Sequence, residues 1–141
     1  MSVFRNTSTI GSITTSSFAT KVDFTTGNNP QIIALGDIDG DGKLDVAVTN
    51  DNSNTVSILR NTSTTGGITS SSFAARVELP AGDGPLGISL GDIDSDGKLD
   101  IVVANRNSNT VSCYRNISTS GTITSSSFAA KVDFSTGSSP R

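Results

Sequence analysis

The strongest constraint on the fold is an internal repeat with a step of 55 residues. The segment Arg5–Thr9 reads Arg-Asn-Thr-Ser-Thr; it returns unchanged as Arg60–Thr64 and, with one substitution, as Arg115–Thr119. A ten-residue acidic segment that begins at Gly36 recurs at Gly91 with the same step. Self-similarity at a fixed period means that one supersecondary unit is stacked on copies of itself. The chain therefore holds about two and a half copies of one unit.

Each unit is predicted to contain four short strands, A to D. Strand A, Ile32–Gly36, alternates large and small residues, as a strand with two different faces does. Strand B is a nearly continuous aliphatic run, which is typical of a strand covered on both faces. No segment shows helical periodicity, and segments rich in Asn, Ser, Gly and Pro separate the strands. The other predicted strands are B at Leu44–Thr49 and Leu99–Ala104, C at Ser2–Arg5, Thr55–Arg60 and Thr110–Arg115, and D at Phe18–Phe24, Phe73–Leu79 and Phe128–Phe134.

Four-stranded antiparallel units that repeat at about this length are typical of the blades of a β-propeller. We therefore predict an all-β protein with a half blade, strands C and D, at residues 1–29, followed by one blade at 30–84 and another at 85–141. An immunoglobulin-like sandwich could also hold ten strands, but that fold gives no reason for the repeat.

The charge of the chain is concentrated in the loops between strands A and B. Eight of the 13 acidic residues and only two lysines lie within Gly36–Asp45 and Gly91–Asp100, so these segments together carry −6 and the rest of the chain carries +3. A basic stripe is missing, which argues against a nucleic-acid surface. No stretch approaches the roughly 20 apolar residues of a membrane-spanning helix. Localised negative charge indicates a bound cation instead.

These loops have the donor pattern of a calcium site. Each reads Asp-x-Asp-x-Asp-Gly-x-x-Asp, with carboxylates at positions 1, 3, 5 and 9 and a Gly at position 6 that permits a sharp turn. With the backbone carbonyl at position 7 they form an oxygen cage of the size that Ca²⁺ prefers, whereas Mg²⁺ keeps more water. We predict about two Ca²⁺ per chain, and loops that are ordered only when metal-filled, because four carboxylates repel one another. The predicted ligands are Asp37, Asp39, Asp41, the Lys43 carbonyl and Asp45 in one loop, and Asp92, Asp94, Asp96, the Lys98 carbonyl and Asp100 in the other.

Other interpretations of the acidic loops explain less. An EF-hand needs a bidentate Glu at position 12, where this chain has Val48 and Val103, and it needs flanking helices. The Asp-x-Asp-Gly string of haloacid-dehalogenase phosphatases belongs to a single site in an α/β fold, whereas this chain has two copies of its loop and a strand pattern. An acidic turn that binds nothing is the remaining alternative, and two matching loops with every ligand position filled disfavour it.

The motifs that follow the loops point to a known family. Strand B and its continuation, Leu44–Asn50 and Leu99–Asn105, together with Ser-Asn-Thr-Val-Ser at Ser53–Ser57 and Ser108–Ser112, resemble the FG-GAP/VCBS repeats of integrin α-subunit-like propellers. The resemblance covers essentially the whole chain. It implies a calcium-bound propeller, at the cell surface or outside the cell, used for adhesion or for binding a glycan or protein ligand. It also implies a ring of about seven blades, which 141 residues cannot close alone.

The remaining signals favour a scaffold over an enzyme. The chain has no His and no recurring acid pair outside the loops, so we predict a non-enzymatic protein; the alternative is the non-catalytic part of an extracellular propeller-type hydrolase or lyase. Its first residues have neither the basic nor the apolar region of a signal peptide. The arginines that end strand C, Arg5, Arg60 and Arg115, are expected to be structural. Asn6, Asn61 and Asn116 match the N-glycosylation pattern, but turn asparagines explain them more simply.

The strand count predicts assembly. Strands C and D at residues 2–24 form a hairpin without partners, and a lone hairpin is marginally stable. Outer blades would also expose apolar faces that a closed ring covers. We therefore predict that the chain is either a fragment of a longer propeller or a homo-oligomer that assembles into a ring by head-to-tail contacts.

Overall fold

Two four-stranded antiparallel sheets, each built from one copy of the repeat, dominate the fold. The computed structural model describes residues 1–64 and 66–141. Among these residues, no helix has the length and apolar character that crossing a membrane requires. The strands are β1 Ser2–Val3, β2 Val22–Asp23, β3 Pro30–Gly36, β4 Asp45–Asn50, β5 Thr55–Leu59, β6 Val77–Pro80, β7 Pro85–Gly91, β8 Asp100–Asn105, β9 Thr110–Tyr114 and β10 Val132–Ser135, with short 3-10 turns at Asp51–Ser53 and Ser125–Ser127.

Each four-stranded sheet is a meander in which strands pair in chain order. The first sheet is β3-β4-β5-β6 and the second is β7-β8-β9-β10, while β1 and β2 pair with each other as a separate hairpin. Both sheets carry the same irregularity, a register shift after the first residue of the first strand, at Pro30 and at Pro85. The sequence repeat is therefore a structural repeat, and the predicted all-β class with a leading two-stranded hairpin is confirmed.

Strand D is shorter than its sequence predicts. The paired ladder begins at Val77 in the first sheet and at Val132 in the second, several residues after Phe73 and Phe128. Those two phenylalanines make only isolated bridges, to Asn61 and Asn116 respectively. Phe73 packs against the cluster next to the hairpin, whereas Val77 packs against the cluster between the two sheets, so the two residues lie on opposite faces. The predicted alternation is therefore interrupted, because the segment before Val77 is not held in the ladder.

The main hydrophobic core lies between the two four-stranded sheets. The first sheet contributes Val56, Ile58 and Leu79, the second contributes Ile101 and Val103, and all five are fully or almost fully buried. A second cluster joins the hairpin to the first sheet. In it the rings of Phe24 and Phe73 meet edge to face with centroids 4.9 Å apart, a contact worth about 1 kcal/mol beyond its area. The hairpin and the two sheets therefore stack as three successive units.

The first strands of the two sheets lie side by side. β3 contacts β7, whereas β6 and β10 are the last strands of their sheets. Leu90 and Leu99 of the second sheet pack so closely on Gly36 at the end of β3 that a Cβ there would lie 2.7–2.8 Å from their Cδ1 atoms. A side chain at this position would force both leucine side chains to move. The first strand of each unit is thus the inner one, as in the blades of a propeller.

Tyr114, the only tyrosine in a chain without tryptophan, reports on the packing between the sheets. Its ring is buried, its hydroxyl donates a hydrogen bond of 2.7 Å to the Pro80 carbonyl of the first sheet, and burial raises its pKa to about 12. We expect ultraviolet absorbance to show ionisation near pH 12 in the folded protein and near the ordinary value of 10.0 in denaturant. Between those pH values only the unfolded chain loses the proton, so stability falls as pH rises.

The Tyr114→Phe variant is the control for this titration. It should lower the free energy of unfolding by about 1 kcal/mol at neutral pH, because the hydrogen bond is lost, and it should remove the additional loss of stability between pH 10 and 12. Ionisation of the folded wild-type protein near pH 10 would contradict the burial of Tyr114 between the sheets.

Candidate metal centre

Each acidic loop is a tight turn that its own carboxylates hold in shape. In the first loop, the two carboxylate oxygens of Asp37 accept hydrogen bonds from the backbone N–H groups of Asp41 (3.0 Å) and Gly42 (2.9 Å). The N–H of Asp41 also lies 3.2 Å from Oδ1 of Asp39. Gly42 has a φ of 87°, in the region where a side chain is disfavoured. The glycine at loop position 6 is therefore required by the turn, as predicted.

The second loop repeats these contacts. Asp92 accepts hydrogen bonds from the N–H groups of Asp96 and Gly97, both at 3.0 Å, and Asp96 N lies 3.3 Å from Asp94 Oδ1. The two loops have different surroundings, so their common geometry is a property of the loop sequence itself.

The last acid of each loop lies at the first position of the second strand. Asp45 begins β4 and is fully buried; its carboxylate accepts hydrogen bonds from the N–H of Ile38 (3.0 Å) and from that of Asn61 (2.7 Å). This carboxylate therefore ties the acidic loop to the turn that follows β5. In the second repeat, Asp100 accepts the same two bonds from Ile93 (3.0 Å) and Asn116 (2.8 Å).

Three carboxylates of each loop converge on one point. One oxygen from each of the three lies within 4.8 Å of the others, and the two groups are Asp37, Asp39 and Asp45, and Asp92, Asp94 and Asp100. The predicted ligands at position 5, Asp41 and Asp96, lie outside these groups. Their carboxylates instead accept hydrogen bonds of 2.9 Å from the N–H groups of Lys43 and Lys98. The structure thus brings together three of the four predicted carboxylates in each loop.

Asp39 shows that the site suits a cation. Its side chain is fully buried, and its Oδ2 has no hydrogen-bond partner among the described residues. Burial, together with the neighbouring charge of Asp41, raises the pKa of Asp39, and burial likewise raises the pKa of Asp45. Burying a carboxylate costs several kcal/mol unless nearby positive charge and hydrogen bonds compensate for the lost water. A hard divalent cation coordinated by carboxylate oxygens removes that cost, so these residues fit Ca²⁺.

Family comparisons agree with this loop geometry. The model for FG-GAP-like repeats matches residues 1–48 and 37–103, and the FG-GAP repeat model matches residues 85–123. The chain belongs to the FG-GAP repeat family. Its four-stranded sheets are therefore propeller blades. No curated protein and no solved structure shows a significant match to the chain.

An arginine in each FG-GAP repeat contributes to the acidic site, and sequence reasoning missed its role. Arg60 Nη1 lies 3.6 Å from Asp39 Oδ2 and 3.9 Å from Asp41 Oδ2. Arg115 Nη1 lies 4.0 Å from Asp94 Oδ2 in the next repeat. The signal was available, because the arginine recurs at the same step as the loop. These cations lower the repulsion among the carboxylates, a role that Lys43 alone could not fill.

The first acidic loop is covered by the next repeat. Asn116 Nδ2 donates a hydrogen bond of 2.7 Å to the carbonyl of Ile38, and Gly121 N donates one of 3.2 Å to that of Asp39. Within residues 1–64 and 66–141, the second loop receives no such bonds from a following turn. As a result the Asp39 side chain is 0% exposed, whereas that of Asp94 is 38% exposed.

A small cavity adjoins the covered loop. Its volume is about 170 Å³, and Asp37 and Asp39 form part of its wall. The other lining residues are Ile38, Gly40, Gly97, Lys98, Ser118 and Ser120.

The asparagines of the glycosylation-like triplets are turn residues. The Oδ1 atoms of Asn6, Asn61 and Asn116 each accept a hydrogen bond of 2.8–2.9 Å from the N–H two residues later. Asn116 is fully buried, whereas Asn6 is exposed. The folded repeat therefore offers a sugar-transferring enzyme access to Asn6 but not to Asn116.

We expect Asn116→Ala to lower the free energy of unfolding by about 2 kcal/mol, because it leaves the buried carbonyls of Ile38 and Leu99 without their donor. Asn6→Ala is the matched control: it occupies the same repeat position, is exposed, and should cost no more than about 0.5 kcal/mol. Urea unfolding of dilute protein measures both values. Equal losses in the two variants would show that the bond to the first acidic loop does not stabilise the fold.

Proposed function

We propose that this chain is a calcium-stabilised, non-catalytic β-propeller scaffold that binds a glycan or protein ligand outside the cell or at its surface. Its blades form part of a ring that other blades complete. The observation that carries the metal assignment is the convergence of three carboxylates in each loop. In the first loop, the buried Oδ2 of Asp39 has no hydrogen-bond partner among the described residues, which adds to this support. The family supports the propeller and the extracellular location.

Calcium in such a scaffold has a structural role. In the first loop it would be held by Asp37, Asp39 and Asp45, with Asp41 and the Lys43 carbonyl beside them. In the second loop the corresponding residues would hold it: Asp92, Asp94, Asp96, the Lys98 carbonyl and Asp100. The ion supplies positive charge that offsets the repulsion of the carboxylates and joins the loop to the second strand. The loop would then keep the shape on which the next repeat docks.

The residues outside the loops support binding rather than catalysis. Asp23, Glu78 and Asp133 are each paired with a lysine or arginine two residues earlier. Partnership with Lys131 and a hydrogen bond from Ser112 lower the pKa of Asp133. A carboxylate whose pKa is lowered, such as that of Asp133, is poorly suited to act as a general acid at neutral pH.

Calcium binding is tested by isothermal titration of metal-free protein. We expect about two ions per chain and an increase in melting temperature; calcium at 100 times its Kd stabilises the native state by about 2.7 kcal/mol. Asp39→Ala and Asp94→Ala should each remove one site, and the double variant should remove both. The melting temperature should fall further in Asp39→Ala than in Asp94→Ala, because the loop that contains Asp39 also contacts the second sheet.

Lys21→Ala is the control, since Lys21 pairs with the exposed Asp23, far from both loops in sequence. This variant should bind two ions like the wild type. If protein verified as metal-free in chelator has the same melting curve before and after calcium is added, the calcium assignment is wrong.

The ligand-binding surface is proposed on the edge of the blades opposite the acidic loops. There the turn after β4 lies against the segment before β3: Asn28 N donates to Ser53 Oγ at 2.7 Å, and Asp51 N donates to the Asn29 carbonyl at 3.0 Å. Asn52 and Asn107 are exposed at the tips of the two equivalent turns. An amide-rich surface suits hydrogen-bonded ligands such as sugars or peptide backbone.

A glycan array probed with the calcium-loaded protein tests this surface. Asn52→Ala together with Asn107→Ala should abolish any binding that the wild type shows, without lowering the melting temperature. Thr64→Ala, an exposed residue of a turn on the acidic-loop side, should leave binding unchanged. Loss of binding in the Thr64 variant and retention in the double variant would place the ligand on the opposite edge.

A further inference from the structure

The contact between the two four-stranded sheets shows how one repeat packs on the next. We name the side of a repeat that faces the following repeat its forward face, and the side that faces the preceding repeat its backward face. Ile38 and Leu79 lie on the forward face of the first sheet, and Tyr114 and Phe128 lie on the backward face of the second. All four belong to one apolar cluster and are at most 7% exposed. Val77 and Ile123 pack against the same cluster.

The same positions are exposed on the two outer faces of the chain. On the forward face of the second sheet, the residues 55 positions after Ile38, Val77 and Leu79 are 53–56% exposed: they are Ile93, Val132 and Phe134. On the backward face of the β1–β2 hairpin, the residues 110 positions before Tyr114, Ile123 and Phe128 are 49–83% exposed: they are Phe4, Ile13 and Phe18. Phe4 and Phe18 also line an apolar groove of about 400 Å³.

We infer that the forward face of the second sheet binds the backward face of the hairpin in a second copy of this chain. The contact between the two sheets is the template, since it joins the same repeat positions. One chain carries both a forward and a backward outer face. A second copy therefore offers a backward face whose residues occupy the same repeat positions as those in the contact between the two sheets. This inference rests on the propeller-type scaffold proposed above, but it does not depend on the metal.

The hairpin already has the shape needed for hydrogen bonding to the second acidic loop. Asn6 and Gly11 stand at the positions of Asn116 and Gly121, which donate to the first loop. The φ of Gly11 is 80° and that of Gly121 is 77°. In both turns the Oδ1 atom of the asparagine also accepts a hydrogen bond from the backbone N–H two residues later. In the dimer, Asn6 Nδ2 would donate to the Ile93 carbonyl, and Gly11 N would donate to the Asp94 carbonyl.

This contact completes the second metal centre. Asp94 is more exposed than Asp39 because the described chain supplies no turn over its loop. The hairpin turn of the second copy would cover Asp94 as residues 116–121 cover Asp39. Each added copy therefore turns an open acidic site into a buried one.

The intermolecular contact should be weaker than the contact between the sheets. Phe4 replaces Tyr114, so the hydroxyl that donates to the Pro80 carbonyl is missing. The fully exposed Ile10 replaces Ser120, whose hydroxyl donates to the Gly40 carbonyl at 3.1 Å. The hairpin also has two strands where the second sheet has four. We therefore expect reversible association in the micromolar range.

Sedimentation velocity over a range of concentrations tests the inference, with one variant for each face. Phe134→Glu disables the forward face and Ile13→Glu disables the backward face; both carry the same charge, so they cannot attract each other. Each variant alone should be monomeric. An equimolar mixture should form a dimer and nothing larger, because only one intact pair of faces remains. Wild-type protein should form larger head-to-tail species or a closed ring.

Two further variants keep the test decisive. Val132→Glu is a second forward-face variant, to be used if Phe134→Glu lowers the melting temperature. Ile33→Glu is the matched control, since Ile33 is an exposed apolar residue of the inner strand β3 in the first sheet and is not one of the residues that define the two outer faces; it should associate like the wild type. The inference would be overturned by a monomeric wild type, by association of Phe134→Glu alone or of Ile13→Glu alone, or by a set of variants in which Ile33→Glu alone loses association.

Calcium and chelator separate this inference from the proposed function. Association of the wild type and of the mixed variants in calcium, with no calcium bound in titration, would support the interface and refute the metal assignment. Two bound ions per chain in a protein that remains monomeric would support the metal assignment and refute the interface.

Discussion

A buried carboxylate at the start of the second strand organises each repeat. Asp45 accepts hydrogen bonds from the acidic loop on one side and from the turn after β5 on the other. The same arrangement in the next repeat places Asn116 against Asp100, and Asn116 in turn donates to the carbonyl of Ile38. A continuous path of hydrogen bonds therefore runs from one acidic site to the other through backbone groups that water does not reach. Removing either carboxylate would leave buried N–H groups without partners, which is more costly than losing an exposed bond.

Much of this arrangement follows from the sequence, because it is local. The step of the repeat predicts identical sheets. The spacing of the acids predicts that the carboxylates of loop positions 1, 3, 5 and 9 meet, and in the first loop the structure brings together all of them except Asp41. Contacts that depend on a neighbouring repeat were not predicted. The burial of Asp39 comes from the turn at residues 116–121, and an identical loop sequence cannot show that Asp94 lacks such a cover. The pairing of Arg60 with Asp39 lies within one repeat, and the recurrence of the arginine was a signal for it; the residue pattern alone did not show that the guanidinium reaches the loop.

The two loops differ in one position that affects their stability. Gly40 has a φ of 69°, and its counterpart Ser95 has a φ of 65°. A residue with a side chain pays about 1 kcal/mol in this left-handed conformation, and glycine does not. The second loop therefore adopts the same shape with more backbone strain and with less cover from neighbouring residues. The shape of the second loop therefore depends more than that of the first on any ion that binds there and on any neighbouring repeat that covers it.

The docking of each turn on the preceding loop gives the array a direction. Each repeat presents an acidic loop on its forward face and a turn on its backward face. Repeats can therefore pack head to tail, and contacts between two identical faces are excluded. In an array of repeats that does not close into a ring, no turn covers the last acidic loop. The number of covered loops is then one fewer than the total number of loops. Closing the array into a ring makes the two numbers equal. Gene duplication in whole units of 55 residues preserves every junction, since each junction uses the same positions; a duplication out of step with that length would separate a loop from the turn that covers it.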